Sequence, residues 1–350
     1  MSEIERPEDR ERHGRLLGVK LRALVADHLG GDGEVAGPEG LPRGAALAVD
    51  DVAWVLVEGP AARSLGPALA WAVRHGAASL NVIADSDTGL LARRAAQLAF
   101  PTSIWFAHDR TWIPAVVEPI DAPPEQSPRH LALTDVITAA GATPNVEHGV
   151  VFGEVSGLEV CRVVDEPTVG HIAELGEIDV VAMSAAAGDD GVWLEVGVGA
   201  NDREAFRLLH GDIPTVEALA TVVEAVTAHR SPKAPQHPLN RLGQERYLRW
   251  QLEQDPRAID MASVVPAAPP VPRPNLKDPI PCVAVGTDAG GAEHTVVCSV
   301  GVDVDLVGFV ADVQSRDDRP VVVVLRGRDR VAITDDLLAL LARPVRVRTV

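Results

Sequence analysis

GLEVCRVVDEP (157–167) and VWLEVGVGANDREAF (192–206) are two valine-rich runs, and each carries a glutamate in a row of apolar neighbours. Their composition and alternation are typical of β-strands, in which successive side chains point to opposite faces. The alternation predicts two sets of side chains that share a face: Glu159 with Cys161 and Val163, and Glu195 with Trp193 and Gly197. If the two strands pair in a suitable register, Glu159 and Glu195 approach each other.

Two interpretations of these glutamates follow. Carboxylates that share a partly apolar face are unfavourable unless a metal ion or an arginine compensates their charge. In the functional interpretation the two acids form a site. In the structural interpretation they face solvent or pair with Arg162 and Arg203, and this interpretation is favoured because structural ion pairs often mimic sites.

Helices surround these runs in the middle of the chain. We expect consecutive strands over NVEHGVVFGEV (145–155) and GLEVCRVV (157–164), a polar insertion that continues to Gly191, and a third strand over VWLEVGV (192–198). Helical periodicity and end signals predict helices at 130–140, 201–210, 215–229 and 240–253.

Two proline-rich linkers, 119–128 and 264–281, divide the chain. They separate an N-terminal α/β module at 1–118, a central α/β module with C-terminal helices at 129–260, and a C-terminal α/β module at 281–350. The last module repeats the strand-hairpin-plus-helix order of the first. Either one module arose by duplication of the other, or the similarity reflects how common alternating strands and helices are in proteins. We predict an α/β protein of two or three sheet-plus-helix modules.

Composition argues against several functions. A net charge of −18 over 350 residues disfavours a nucleic-acid partner, since phosphate backbones are bound by basic surfaces. The six tryptophans are scattered singly, so we expect no stacking platform for single strands. The charged N-terminus and the lack of a run of roughly 20 apolar residues predict a cytoplasmic protein without membrane association. Three widely spaced cysteines predict reduced, buried thiols and no structural metal.

The predicted order of a helix, a three-stranded antiparallel meander with acids on its second and third strands, and a helix resembles the core of the restriction-endonuclease-like superfamily, the PD-(D/E)XK nucleases. In that family these acids, the second followed by x-lysine, bind Mg²⁺ and orient a water for phosphodiester hydrolysis. The resemblance implies that Glu159 and Glu195 match the two acids and that Glu154 is a further metal ligand. Gly197 stands where the family has lysine. Arg162 could project nearby, but a guanidinium stays protonated and cannot act as a base.

Because this lysine is missing, the central module resembles a degenerate restriction-endonuclease-like fold. We expect a non-catalytic scaffold or regulatory protein that acts through protein contacts or self-association and uses no cofactor. The alternative is a Mg²⁺-dependent nuclease or phosphodiesterase, with Glu159, Glu195 and Arg162 as catalytic residues and Glu154, Glu159 and Glu195 as Mg²⁺ ligands. The chain also resembles uncharacterised proteins of high-GC Gram-positive bacteria, a likeness that implies no mechanism.

Overall fold

The fold was obtained as a computed structural model, which describes residues 7–30, 37–41, 43–108, 111–165, 191–200, 202–205, 215–230, 237–273 and 280–350. Over these ranges the chain is a mixed α/β protein with sheets of six, four and five strands. This confirms the predicted α/β class and its sheet-plus-helix modules. The contacts define two compact units: Met1–Asp121 with Gly301–Val322 and Arg326–Val347, and Ala122–Val300 with Val323–Leu325 and Arg348–Val350.

The α-helices of the described ranges are α1 (Pro7–Leu29), α2 (Leu65–Arg74), α3 (Thr88–Ala95), α4 (Pro128–Leu131), α5 (Thr134–Ala139), α6 (Thr215–His229), α7 (Gln244–Gln254), α8 (Leu306–Arg316) and α9 (Ala332–Leu338). Short 3-10 turns lie at Pro238–Arg241, Pro256–Ile259 and Gly327–Asp329. The predicted helix at 130–140 is thus two short helices. Of the predicted helix at 201–210, only 202–205 lie within the described residues, and they are helical.

Fifteen strands form the sheets of the described chain: β1 (Glu39–Leu41), β2 (Gly44–Val49), β3 (Val52–Val57), β4 (Ser79–Ala84), β5 (Thr102–His108), β6 (Thr111–Pro114), β7 (Thr143–Glu147), β8 (Val150–Val155), β9 (Leu158–Val164), β10 (Trp193–Val196), β11 (Ser263–Ala267), β12 (Cys282–Thr287), β13 (Glu293–Cys298), β14 (Val321–Leu325) and β15 (Arg346–Thr349). The sheet orders are β1-β2-β3-β4-β5-β6, β10-β9-β8-β7 and β11-β12-β13-β14-β15. Strand β11 covers residues at the start of the stretch that the sequence suggests as the second linker.

In the first unit, α1 covers the six-stranded sheet with a stripe of leucine and valine side chains. Its core includes Leu17, Leu21, Leu24 and Val25 packed with Leu47, Trp54 and Leu56. Strands β3, β4 and β5 run parallel, whereas the outer pairs are antiparallel. Parallel neighbours require crossover helices, and α2 and α3 provide them.

Three tryptophans of this unit are neighbours in space. The His28 ring centroid lies 5.5 Å from that of Trp54, 5.6 Å from that of Trp105 and 4.6 Å from that of Trp112. The Trp54 and Trp112 rings are also 5.5 Å apart. The tryptophans are scattered singly along the sequence, but strands distant in sequence bring these three rings to one face of the sheet.

The second unit contains the antiparallel sheet of the central module. The predicted strand over 145–155 is in fact a hairpin, with β7 and β8 joined at His148 and Gly149. Both turn residues have positive φ, 49° and 78°, as two-residue hairpin turns require. The sheet thus has four strands, so the prediction of three is wrong. The polar insertion after β9 lies largely outside the described residues.

Every helix in the described part of the chain is too short or too polar to cross a lipid bilayer.

Candidate functional site

A β-bulge in β9 determines which side chains share a face of the central sheet. Gly153 of β8 lies opposite Cys161, whereas the next residue, Glu154, lies opposite Glu159. Strand β9 therefore contains one extra residue, Val160, relative to β8. The alternation of side chains between the two faces of the sheet shifts by one position at this residue. The prediction that Glu159 and Cys161 share a face is wrong, because it assumed a regular strand.

One face of this sheet is apolar and packs against α5 and α6. Its buried core includes Ile137, Ala142, Val151, Val155, Val160, Cys161, Val163, Leu219 and Val226. The other face carries one glutamate from each of the four strands. This glutamate row consists of Glu147 on β7, Glu154 on β8, Glu159 on β9 and Glu195 on β10, and all four are buried.

Four arginines contact the glutamate row. Arg162 comes from β9, Arg203 from the helical stretch 202–205, and Arg246 and Arg249 from α7. The last three are buried, while the Arg162 side chain is 32% exposed. These arginines and the glutamate row form what we call the Glu–Arg cluster, in which the formal charges of the eight side chains cancel.

Glu159 lies at the centre of the Glu–Arg cluster. Arg162 donates from Nε to Glu159 Oε1 at 2.9 Å and from Nη2 to Oε2 at 3.1 Å, a bidentate pair. Arg203 Nη1 donates to Oε1 at 3.2 Å, and Arg246 Nη1 donates to Oε2 at 3.3 Å. One fully buried carboxylate thus binds three guanidinium groups, two of which come from outside the sheet.

Arg203 joins the two glutamates that the sequence singles out. Besides its bond to Glu159, it donates from Nε to Glu195 Oε2 at 3.2 Å. Glu195 is also the register partner of Arg162 across β9 and β10. The structure therefore brings Glu159 and Glu195 together, with a guanidinium group bonded to both.

Helix α7 supplies contacts to the other half of the row. Arg246 Nη2 donates to Glu147 Oε2, Arg246 Nε lies 3.6 Å from Glu154 Oε1, and the guanidinium stacks 4.7 Å from the centre of the Phe152 ring. Arg249 Nη2 donates to Glu154 Oε2. Glu154, which the resemblance implies as a metal ligand, is thus an acceptor for arginine.

The charges of the cluster depend on one another. Burial acts to raise the pKa of Glu159, but Arg162, Arg246 and Arg203 together outweigh it, so the pKa lies below its usual value. Burial acts to lower the pKa of Arg246, but the carboxylates of Glu147, Glu154 and Glu159 outweigh this effect, so the pKa lies above its usual value. Each partner therefore keeps the other ionised in a place where either charge alone would be strongly disfavoured.

Gly197 shows why the lysine of the nuclease motif does not fit here. This residue has φ +136°, a conformation that side-chain-bearing residues rarely adopt. A Cβ atom added to it would lie 2.8 Å from the backbone nitrogen of Arg203. The backbone after β10 thus turns tightly against the segment that positions Arg203, and this requires glycine.

The donor set does not fit the Mg²⁺ ion of the alternative function. Mg²⁺ prefers carboxylate and water oxygens in an octahedral shell, but guanidinium groups engage carboxylate oxygens of Glu154, Glu159 and Glu195. No three Asp, Glu, His or Cys side chains of the described residues are arranged to share a metal ion. The arrangement joins the four strands of the sheet to Arg203 and to helix α7 through ion pairs.

Sequence reasoning missed Glu147, Arg246 and Arg249. The two arginines stand three residues apart in QERYLRWQLEQ, a spacing that places them on one side of a helix. This spacing is common on solvent-exposed helices, so it gives no signal of burial. Only their contact with a sheet far away in sequence shows that these two arginines are buried.

No protein-family model matches the chain, and no curated protein or solved structure is significantly similar to it.

Proposed function

We propose that this protein is a non-catalytic scaffold or regulatory protein that acts through protein contacts, and that the Glu–Arg cluster maintains its central module. The observation that carries this proposal is the pairing of Glu159 and Glu195 with the buried Arg203. The proposal includes that the central module is a degenerate form of the restriction-endonuclease-like fold. In such a module the acids of a former metal site would now bind arginine.

The alternative of a Mg²⁺-dependent nuclease or phosphodiesterase has less support from this geometry. Hydrolysis needs a water next to a metal ion or a base, but Arg162, Arg203 and Arg246 surround Glu159. A guanidinium group cannot accept a proton from water at neutral pH. For Glu159 and Glu195 to bind a metal, Arg203 would have to leave a buried position.

An exposed apolar surface on the first unit supports contact with another protein. Strand β6 is the last strand of the six-stranded sheet, and its Ile113 is 60% exposed. Val116 and Val117 follow it and are 84% and 52% exposed. Edge strands with exposed apolar residues commonly bind other chains. We refer to these three residues as the edge surface.

The first experiment separates the two functions. Purified protein is incubated with single- and double-stranded DNA and RNA in the presence of Mg²⁺, Mn²⁺ or chelator, together with Glu159→Ala, Glu195→Ala and the exposed control Glu217→Ala. We expect no metal-dependent cleavage by any of them. Cleavage by the wild type and by Glu217→Ala that is lost in the other two variants, while circular dichroism shows that these two are folded, would establish the nuclease instead.

A second experiment tests the edge surface. Sedimentation velocity over a concentration series should show self-association of the wild type that Val116→Asp removes. Val302→Asp, at another exposed valine of the first unit, is the matched control and should behave like the wild type. A wild type that stays monomeric at every concentration would contradict self-association through this surface.

A further inference from the structure

The first unit contains a cavity of about 320 Å³ next to the carboxyl end of β3. Its walls are mainly apolar and include Leu41 of β1, Val55 and Val57 of β3, and Pro67 of α2. In sheets with parallel strands, ligands commonly bind beyond the carboxyl ends of these strands, and β3 is parallel to β4. The volume is at the lower end of the roughly 300–1,000 Å³ of ligand pockets, so it suits a small ligand.

Two arginines provide the charge at this cavity. Arg63 Nη2 forms an ion pair with Asp303 Oδ2 at 2.8 Å, so its charge is compensated. Arg43 is exposed, and no described residue forms an ion pair or side-chain hydrogen bond with it. An uncompensated guanidinium at a mainly apolar cavity favours an anionic ligand group.

The acidic residue that hydrogen-bonds to the Arg43 backbone is engaged elsewhere. Glu58 donates its backbone N–H to the Arg43 carbonyl oxygen, but its carboxylate binds Lys20 Nζ at 2.6 Å. The charge of the Glu58 carboxylate is thus compensated by Lys20 and not by Arg43.

We propose that this cavity binds a small monocarboxylic acid, whose hydrocarbon body contacts Leu41, Val55 and Val57 and whose carboxylate pairs with Arg43. Carboxylates form bidentate hydrogen bonds with guanidinium groups, which gives both affinity and orientation. The apolar walls select for a hydrocarbon body and against polyanions, which would carry uncompensated charge into the cavity. This site is independent of the Glu–Arg cluster and of the proposed function.

Isothermal titration calorimetry with phenylacetate and its neutral analogue phenylacetamide tests this proposal. We expect saturable binding of phenylacetate and binding of the amide that is at least about tenfold weaker, since a charge-assisted hydrogen bond is stronger than one between neutral groups. Arg43→Gln should reduce phenylacetate affinity to that of the amide and leave amide affinity unchanged. Arg22→Gln, at an exposed arginine of α1, is the matched control and should leave both affinities unchanged.

A second variant tests the apolar walls. Leu41→Trp lies on the edge strand β1 and should fill the cavity, so that neither compound binds while thermal unfolding stays close to that of the wild type. Three outcomes would overturn the proposal: no saturable binding of phenylacetate by the wild type, equal affinity for the amide, or binding that survives both Arg43→Gln and Leu41→Trp.

Discussion

At the scale of single residues, Glu159 illustrates how a buried charge is retained. Its carboxylate accepts hydrogen bonds from Arg162, Arg203 and Arg246, and these guanidinium groups lower its pKa against the opposing effect of burial. A lowered pKa stabilises the folded protein at pH values above the unfolded value of 4.5, and this stabilisation is lost as the pH falls through the folded value. The sequence correctly indicates Arg162 and Arg203 as partners of Glu159 and Glu195, because both arginines are close to these glutamates in the chain.

Gly197 gives a prediction at the same scale. Gly197→Lys recreates the acid-x-lysine spacing of the nuclease family, but the positive φ and the nearby Arg203 backbone disfavour any side chain. We expect a loss of about 1–3 kcal/mol in the free energy of unfolding and no gain of nuclease activity. Gly327→Lys, at a glycine with no atom near its Cβ position, is the control for urea denaturation. Nuclease activity in a stable Gly197→Lys protein would contradict the structural role of the cluster.

Asp305 gives a pH-dependent prediction for the first unit. Burial raises the pKa of this carboxyl group from 3.8 to about 6, partly offset by Arg94 and the Gly66 N–H. Its contribution to stability is therefore fully present below pH 3.8 and is lost as the pH rises through 6. Asp305→Asn does not titrate, so its urea midpoint should rise relative to the wild type between pH 4 and pH 7. A constant difference over this range would show that Asp305 does not titrate there.

At the scale of elements, the β8–β9 hairpin depends on Arg230 at the end of α6. Its guanidinium donates to the carbonyl oxygens of Ser156 at 2.9 Å, Leu239 and Leu242 at 2.8 Å, and Gly243 at 3.0 Å. One side chain thus joins the hairpin turn to the start of α7, which positions Arg246 and Arg249.

Arg230→Lys removes the planar donor set and keeps the charge. An ammonium group cannot reach four separated carbonyl groups, so we expect a loss of roughly 2–4 kcal/mol in the free energy of unfolding. Hydrogen exchange should show faster exchange in the β8–β9 hairpin and in α7. Arg241→Lys, in the adjacent 3-10 turn and not buried, is the matched control. Unchanged exchange in both elements would show that Arg230 does not hold them together.

Most elements could be predicted from local sequence, because strand and helix periodicity is a property of neighbouring residues. The helix over 215–229 is an example. The bulge at Val160 could not be predicted, since no residue there differs from those of a regular valine-rich strand. That single extra residue moves Glu159 to the face of Arg162, and a sequence pattern with a strict period of two cannot show this.

At the scale of the whole molecule, the site depends on contacts between residues far apart in the chain. Arg246 and Glu159 are 87 positions apart, and Arg249 and Glu154 are 95 apart. Sequence patterns report local periodicity and not which helix covers which sheet face. The α/β class was therefore accessible from sequence, whereas the compensation of Glu154 by α7 was not.

The three cysteines give a prediction for the intact protein. All are free and buried, and burial raises the pKa of the Cys161 thiol to about 12. Because the thiolate is the reactive form, the native protein at pH 8 should react with Ellman's reagent very slowly. In urea all three thiols should react at once. Rapid reaction of the native protein would contradict the burial of these side chains.

The central claim is that the Glu–Arg cluster is structural and not a metal site, and a double-mutant cycle between Glu159 and Arg203 tests it most directly. The free energy of unfolding is measured for the wild type, Glu159→Gln, Arg203→Gln and the double variant, with Mg²⁺ and with chelator. We predict that each single variant loses about 3–5 kcal/mol, that the double variant loses much less than the sum, and that Mg²⁺ changes none of these values. Stabilisation of the wild type by Mg²⁺ that Glu159→Gln abolishes would instead identify Glu159 as a metal ligand.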